Sequence, residues 1–335
     1  MKVIVPKNYK TPLDIRETEV AIKKLKDRFE EELSEKMNIT RVSAPLFVIR
    51  NTGLNDDLNG QEHPVSFTAP NITDLNVEIV HSLAKWKRMA LEKYGFKVGT
   101  GIYTDMNAIR RDEDLSPIHS FYVDQWDWEK VINKEDRTEA KLKDIVRRIF
   151  KSFKSSEEYI TGLYPTLTKK LPEDIFFITT QELEDKYPKL TSKEREHAIA
   201  KEYKAVFLMQ VGHKLNSGEK HDGRAPDYDD WNLNGDIIFW YEPLQIGLEL
   251  SSMGIRVCEN SLQEQLSISG FEDRKELDYH KALLEGKLPY TIGGGIGQSR
   301  ICLFFLDKMH IGEVQASVWD PQTLEDCKKK NIKLL

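Results

Sequence analysis

The sequence predicts an α+β fold, a mainly antiparallel β-sheet flanked by helices, and three observations lead to it. Candidate strands come in adjacent pairs joined by turns, at 101–130 and again from Ile237 to Val257. Helical periodicities lie between and outside those pairs rather than alternating with single strands, which argues against a doubly wound α/β sheet. No internal repeat, low-complexity tract or long Gly/Ser linker divides the 335 residues, so one continuous domain, 1-335, is expected. Length by itself allows one large domain or two ordinary ones.

The elements follow in chain order. Thr11-Pro12 ahead of Asp14 reads as a helix start, an N-cap with proline at the first position. Ile15, Ile22, Leu25, Phe29 and Leu33 then form one apolar stripe running to about Met37. NITRVSAPLF is a short strand. Its Pro45 cannot donate to a ladder, which places it at an edge or an interface. Residues 51–64 are a polar loop with adjacent Asp56 and Asp57, and a solvated turn is its simplest reading. VEIV is a strand, and HSLAKWKRMALEKYG is a helix with Lys85, Lys87 and Arg88 near its start. Cations there oppose the macrodipole, so they point to a bound anion unless they form a solvated face.

Residues 101–130 read as strand, charged turn, strand, with Arg110, Arg111, Asp112, Glu113 and Asp114 crowding the turn. On the return strand Phe121, Val123, Gln125 and Asp127 point one way; Tyr122, Asp124, Trp126 and Trp128 point the other. Gln125 and Asp127 need partners if buried, and a ligand could supply them, the alternative being an exposed hairpin end. Residues 135–160 form an amphipathic surface helix with Leu142, Ile145, Ile149 and Phe153 on one face. DIFFITT is a buried strand, and a helix from Thr191 to about Lys204 leads into the strand AVFLMQV.

The polar segment 212–236 is long for a loop in a compact domain, and such loops are functional or disordered. Its Asp227, Asp229 and Asp230 are candidates for a cation site or for an acidic lid. Two strands then join around Pro243 and Gly247. Alternation puts Glu249 and Ser251 on one face and Ser252 and Arg256 on the other, unless Gly254 marks a bulge. Helices follow at about 260–268 and 272–285. Last comes TIGGGIGQSR, Thr291 to Arg300, running into the apolar ICLFFL. Its alternating Gly293, Gly295 and Gly297 let a backbone approach a flat ring or a phosphate, and Arg300 can pair with phosphate through its planar fork. A Gly-rich turn feeding a buried helix serves equally well. The spacing is not that of the dinucleotide fingerprint, which opens a βαβ unit.

Composition narrows the function. Hydrophobic residues are 39% and charged residues 31%, as in globular domains with a large core. The net charge of -6 argues against a protein whose main task is holding nucleic acid. Cys258, Cys302 and Cys327 show no metal spacing and read as thiols in a reducing compartment. No apolar run approaches the roughly 18 residues of a membrane span, and the first residues lack a signal-peptide core. A cytoplasmic location is expected.

Three signatures occur in order: a long helix and a strand ending at Pro45; Arg110 and Glu113 before the return strand FYVDQWDWE; and the Gly-x-Gly-x-Gly-x-x-Arg stretch before a helix. Together they resemble the three-motif catalytic domain of class II aminoacyl-tRNA synthetases. More narrowly, VHSLAKWKR, LSPIHSFYVDQWDWE, RAPDYDDW, ELSSMGIRV and TIGGGIGQSR look like the ammonia-dependent asparagine synthetases, the aspartate–ammonia ligases, over nearly the whole chain. That resemblance implies an ATP-dependent ligase. Aspartate's side-chain carboxylate attacks the α-phosphate of ATP, giving β-aspartyl-adenylate and pyrophosphate, and ammonia then displaces AMP. It implies Arg110, with Arg111 as its rival, on the α-phosphate and Arg300 on adenine and the phosphates. Glu113, Leu250, Gly295 and Gly297 complete the nucleotide-binding set, and Asp236 and Glu249 hold Mg2+.

The aspartate would lie end-over-end relative to its pose in an aspartyl-tRNA synthetase. Lys87 and Arg256 then hold its α-carboxylate, Asp127 and Ser252 its α-ammonium, and Gln125 orients the reacting carboxyl. Asp56 is assigned to recruiting and deprotonating ammonium, since only free ammonia is nucleophilic. Position 2 is Lys2 and not the cysteine a glutamine-dependent amidotransferase exposes, so free ammonia is the expected nitrogen source. The residues before Pro45 are too few for an anticodon-binding domain, so no nucleic-acid partner is expected. A homodimer through the first helix and strand is. The alternatives are a tRNA synthetase paralogue and a non-catalytic relative, the latter expected to have lost its arginines.

Overall fold

The structure, a computed structural model, describes residues 9–56, 62–72 and 75–335. Its first helix, α1 (Ile15–Met37), starts later than Thr11-Pro12 suggests. The N-cap is Asp14: its carboxylate accepts the Glu17 amide at 2.8 Å, and the Glu17 carboxylate accepts the Asp14 amide at 2.9 Å. That capping box satisfies two orphan amides at once, whereas the Thr11 hydroxyl donates to the Leu13 carbonyl. Leu25, Phe29 and Leu33 are buried, as the stripe requires, and Ile15 at its outer end is exposed.

Four short strands follow, β1 (Ile39–Arg41), β2 (Phe47–Ile49), β3 (Ser66–Phe67) and β4 (Val77–Ile79), then α2 (Ala84–Lys93). The long hairpin is β5 (Gly101–Ile109) and β6 (Tyr122–Val131). After it come α3 (Glu139–Leu163), β7 (Phe176–Thr179), α4 (Thr180–Lys186), α5 (Ser192–Tyr203) and β8 (Ala205–Met209). A second hairpin, β9 (Asp229–Tyr241) and β10 (Ile246–Arg256), leads to α6 (Glu259–Ser269) and α7 (Asp278–Leu284). The chain closes with β11 (Thr291–Gly297), α8 (Gln298–Phe305) and α9 (Pro321–Lys329).

One 8-stranded sheet has the order β1-β5-β6-β11-β10-β9-β8-β7, and β2-β4-β3 form a small separate sheet. The inner strands of the large sheet pair antiparallel. At its two margins β1 joins β5 and β7 joins β8 in parallel, so the sheet is mixed. β1 lies at the edge, but Pro45 falls beyond it, in the link to β2. The DIFFITT strand, β7, is the opposite edge and only half-buried.

One face of the sheet is closed by α1, α3 and α8. Trp126 stacks on Phe29 with centroids 4.8 Å apart, and Phe153 meets Phe239 at 5.0 Å. On the other face α2 covers one flank, packing Ala90 and Leu91 with Ile102 and Val131. α5 covers the other, packing Ile199 and Ala200 with Val206, Leu208 and Ile238. The middle of that face stays open, and there the site lies.

Two local features set what the open face presents. The Gly-rich stretch is neither a turn nor a loop: it is β11, central in the sheet between β6 and β10. A Cβ on Gly293 would stand 2.0 Å from Glu129 Oε2, and one on Gly295 would stand 2.4 Å from Gln125 Oε1. These glycines make room for side chains of the neighbouring strand. In β10 the pairing slips between Glu249, opposite Ile238, and Ser251, opposite Ile237, leaving Leu250 as the extra residue of a bulge. The slip brings Glu249 onto the face of Ser252, which strict alternation forbids. A second irregularity lies between Gly254 and Arg256, where the sequence had suggested one.

His310 gives a pH-dependent contribution to stability. It is buried, its Nδ1 accepts the Gly312 amide at 3.1 Å, and its ring lies edge-on to Trp319. Burial pushes its pKa down from 6.5 to about 4. The folded state therefore binds this proton less tightly than the unfolded chain. The stabilisation is complete above pH 6.5 and disappears as pH falls towards 4, a loss of up to about 3 kcal/mol. Urea midpoints should drop between pH 7 and 4.5, and drop less in His310→Asn. An equal drop in both proteins would remove His310 from the account.

Candidate active site

The open face holds a cavity of about 430 Å³ floored by β6, β10 and β11. Alternation on β6 sends Trp126 and Trp128 into the core and presents Gln125 and Asp127 to the cavity. Behind that floor is a buried lattice of charge. Lys87 donates to Asp127 Oδ1 at 2.9 Å, the Trp128 carbonyl at 3.0 Å and the Gly294 carbonyl at 3.3 Å. Asp127 Oδ2 accepts the Leu83 amide at 3.1 Å. Arg256 donates to Glu129 Oε2 at 2.7 Å and to Asp229 Oδ1 at 2.5 Å. Burial pulls the Lys87 ammonium below the usual lysine range, while Asp127 and Glu129 pull the other way. For Glu129 burial opposes ionisation, but Arg256 and its hydrogen bonds prevail and hold the carboxyl low.

This corrects the reading of the basic cluster at the start of α2. Lys87 does not line the cavity, and its ammonium protons are spent on protein oxygens. Lys85 donates to Asp227 at 3.1 Å, and Arg88 donates to the Pro289 and Val257 carbonyls at 2.8 and 2.7 Å. For Lys85 and Lys87 the anions that offset this unfavourable placement are the protein's own carboxylates. Arg256 does line the cavity, with its guanidinium already engaged.

Arg110, Glu113 and Arg300 line the same cavity. Arg110 Nε is buried with no hydrogen-bond partner among the described residues, as a donor kept for an incoming acceptor would be. Arg111 points outward, 58% exposed, towards Asp112 at 3.6 Å, which separates the two neighbouring arginines. Arg300 Nη1 donates to the Glu249 carbonyl at 2.9 Å. Burial pushes Glu113 above the usual carboxylate range, and Arg110 and Arg300 pull it back. Leu250, Ser252, Gly295, Gly297, Glu249 and Asp56 complete the predicted residues at the cavity wall. Asp57 lies outside the described residues.

Asp236 sits one step behind the wall. Arg224 bridges it to the cavity, donating to Asp236 Oδ1 at 2.7 Å and to the Ser252 hydroxyl. Burial raises the Asp236 carboxyl to about 6, Arg224 opposes this, and the charge of Glu249 adds to it. Arg224 lay unremarked in the acidic loop, where an arginine among aspartates was the available signal. His119 was missed too. The Ser116 hydroxyl accepts the Ile118 amide and lies 2.7 Å from His119 Nδ1. Burial, with Arg300, Lys193 and Arg110 nearby, pushes this imidazole down to about 3 and keeps it neutral.

The three loop aspartates form neither a cation site nor a solvated lid. Asp227 is buried against Lys85, Arg274 and His280; Asp229 pairs with Arg256; Asp230 pairs with Arg137. Among the described residues no group of three His, Cys, Asp or Glu is arranged to hold a metal.

With this geometry in place, comparison with known proteins is informative. The sequence model of a family described as aspartate-ammonia ligase matches residues 16–331. A relative from Fusobacterium nucleatum named aspartate–ammonia ligase is 68% identical over 98% of this chain and 99% of its own. One of the same name from Ruminiclostridium cellulolyticum is 65% identical over 99% of each. Among solved structures, Pyrococcus horikoshii asparaginyl-tRNA synthetase complexed with asparaginyl-adenylate superposes with a TM-score of 0.66 at 13% identity, covering 90% of this chain and 70% of that one. Entamoeba histolytica aspartyl-tRNA synthetase superposes with a TM-score of 0.58 at 16% identity, covering 91% and 59%. The fold is therefore that of the class II synthetases, and by sequence the chain belongs to the aspartate–ammonia ligase family.

Proposed function

We propose that this chain makes asparagine from aspartate and ammonia with ATP, through a β-aspartyl-adenylate, releasing AMP and pyrophosphate. The observation that carries the reading is one cavity holding Arg110, Arg300 and Glu113 together with Gln125, Asp127, Ser252 and Asp56. Aspartate's β-carboxylate attacks the α-phosphorus and the bond to pyrophosphate breaks. Negative charge gathers on the phosphoryl oxygens, where Arg110 and Arg300 stabilise it. Leu250, Gly295 and Gly297 shape the nucleotide subsite. Gln125 orients the reacting carboxyl, Arg256 faces the α-carboxylate, and Asp127 and Ser252 take the α-ammonium. Lys87 acts through Asp127 and not by contact. Asp56 then takes a proton from ammonium, the freed nitrogen attacks the acyl carbon, and AMP leaves.

The donor chemistry at Asp236 and Glu249 fits Mg2+. Both ligands are hard oxygens, and burial, with the charge of Glu249 added to it, raises the Asp236 carboxyl against the opposing pull of Arg224. These two residues would hold the ion, which supplies charge neutralisation at the phosphates. Asp236→Asn should raise the Mg2+ concentration for half-maximal pyrophosphate release by roughly tenfold or more. An unchanged Mg2+ titration would take Asp236 out of that role.

The chain works as one domain, for β1, near its start, and β11, near its end, belong to the same 8-stranded sheet. It also works as a homodimer. The edge position of β1, with exposed Leu46, Phe47 and Ile49 soon after it in the chain, supports this. Monomeric mass by light scattering would refute it. The free thiols Cys258, Cys302 and Cys327 fit a reducing cytoplasm, and among the described residues no helix is long and apolar enough to cross a membrane.

The deciding assay supplies ATP, Mg2+ and aspartate with ammonium, glutamine or tRNA in turn. Asparagine and AMP should appear with ammonium, with little product from glutamine and no effect of tRNA. AMP formation that requires tRNA would overturn the reading.

A further inference from the structure

Asp56 lies in no helix or strand, yet it is 2% exposed at the cavity wall. Two polar side chains hold its backbone. Asn55 Oδ1 accepts the Asp56 amide at 3.0 Å and the His81 amide at 2.9 Å. Asn55 Nδ2 donates to Glu78 Oε2 at 3.2 Å and the Ile79 carbonyl at 3.3 Å. His81 Nδ1 lies 2.9 Å from the Asp56 carbonyl, and since a carbonyl only accepts, Nδ1 carries the proton. His81 is fully buried, and its Nε2 meets no hydrogen-bond partner among the described residues.

A buried imidazole with one bare nitrogen is a poor choice for filling space, since an unsatisfied polar atom is destabilising where an apolar side chain is not. Its evident use is the bond to the Asp56 carbonyl. The same connection, between β4 and α2, presents the Leu83 amide to Asp127. One short segment thus fixes Asp56 relative to the carboxylate assigned to the amino-acid substrate. The Asp127 contact does not pass through the His81 side chain.

We propose that His81 and Asn55 are positioning residues that clamp Asp56 for the ammonia step and leave adenylation untouched. This rests on the role given to Asp56 above. A displaced base loses the alignment that its rate depends on, and small misplacements have large effects.

The test measures two reactions on one set of variants: aspartate-dependent ATP–pyrophosphate exchange, and asparagine formation against ammonium chloride concentration. His81→Ala and Asn55→Ala should lower asparagine formation per unit ammonium by roughly tenfold or more, with exchange held within about threefold. His81→Asn, whose amide can donate where Nδ1 did, should recover most of the loss. A parallel fall in both reactions, or unchanged ammonium dependence, overturns the clamp. Asp56→Asn separates the two levels. If it spares both reactions or abolishes both, the role of Asp56 fails, and the clamp with it. If it blocks only asparagine formation while His81→Ala and Asn55→Ala match the wild type, the clamp alone fails. Should His81→Ala melt below the assay temperature, Asn55→Ala, at a half-exposed position, carries the test.

Discussion

Arg300→Ala should abolish aspartate-dependent ATP–pyrophosphate exchange, and Arg110→Ala should do the same, with both proteins still folded. Removing one preorganised donor from a developing phosphoryl charge lowers the rate by roughly 10²–10³-fold, and these guanidinium groups carry full charge. Neither truncation strips the core. Arg110 keeps its backbone bond to the Phe121 carbonyl, and its Nε has no partner to abandon among the described residues. Arg300 follows Ser299, whose amide is held by Asp124 Oδ1 at 3.0 Å, so α8 keeps its start without the side chain. Glu113 loses a neighbouring cation in either variant, but its carboxyl already titrates above the usual range and can take up a proton. Exchange near the wild-type rate in either purified, folded variant would defeat the assignment.

Arg256→Ala should act on the fold itself. It leaves Glu129, with no exposure, and Asp229, 1% exposed, facing an empty space where a cation had been. Breaking a buried pair from one side is destabilising by about 3–5 kcal/mol, because the charges left behind have no water, and Glu129 keeps only the longer 3.7 Å contact with Lys87. Against a total stability of roughly 5–15 kcal/mol, that is a large share. Urea unfolding at neutral pH reads the effect. Adding Glu129→Gln to Arg256→Ala should recover part of it. A single variant within about 1 kcal/mol of the wild type would show that the lattice is not holding the strands together.

Much of the fold was legible because apolar periodicity is a local signal. The stripe on α1, the alternation on β6 and the helices after β10 each depend only on near neighbours in sequence. The wall of the cavity was legible through family resemblance, and Arg110, Gln125, Asp127, Ser252 and Arg300 all reach it. What the sequence hid was pairing across distance. Lys85, Lys87 and Arg88 looked like a site for a foreign anion because their partners, Asp227, Asp127 and two carbonyls, are far away in the chain. The glycines of β11 looked like a turn because nothing local shows that Glu129 and Gln125 need the volume a Cβ would take. Asp227, Asp229 and Asp230 looked like a cluster because sequence neighbours were taken for spatial ones, while each turns to a different cation.

The slip at Leu250 makes β10 a matter of counting. Upstream of it Glu249 looks into the cavity; draw the extra residue into the ladder and the parity of everything before it reverses. Glu249 would then turn towards the layer where Phe153 and Phe239 pack, and Leu248 would leave that layer. A swap of leucine for another apolar residue there changes a shape, whereas straightening the bulge exchanges inside for outside along half a strand. Among homologous chains and designed variants, this stretch should therefore accept changes of letter more readily than any change that pairs the extra residue.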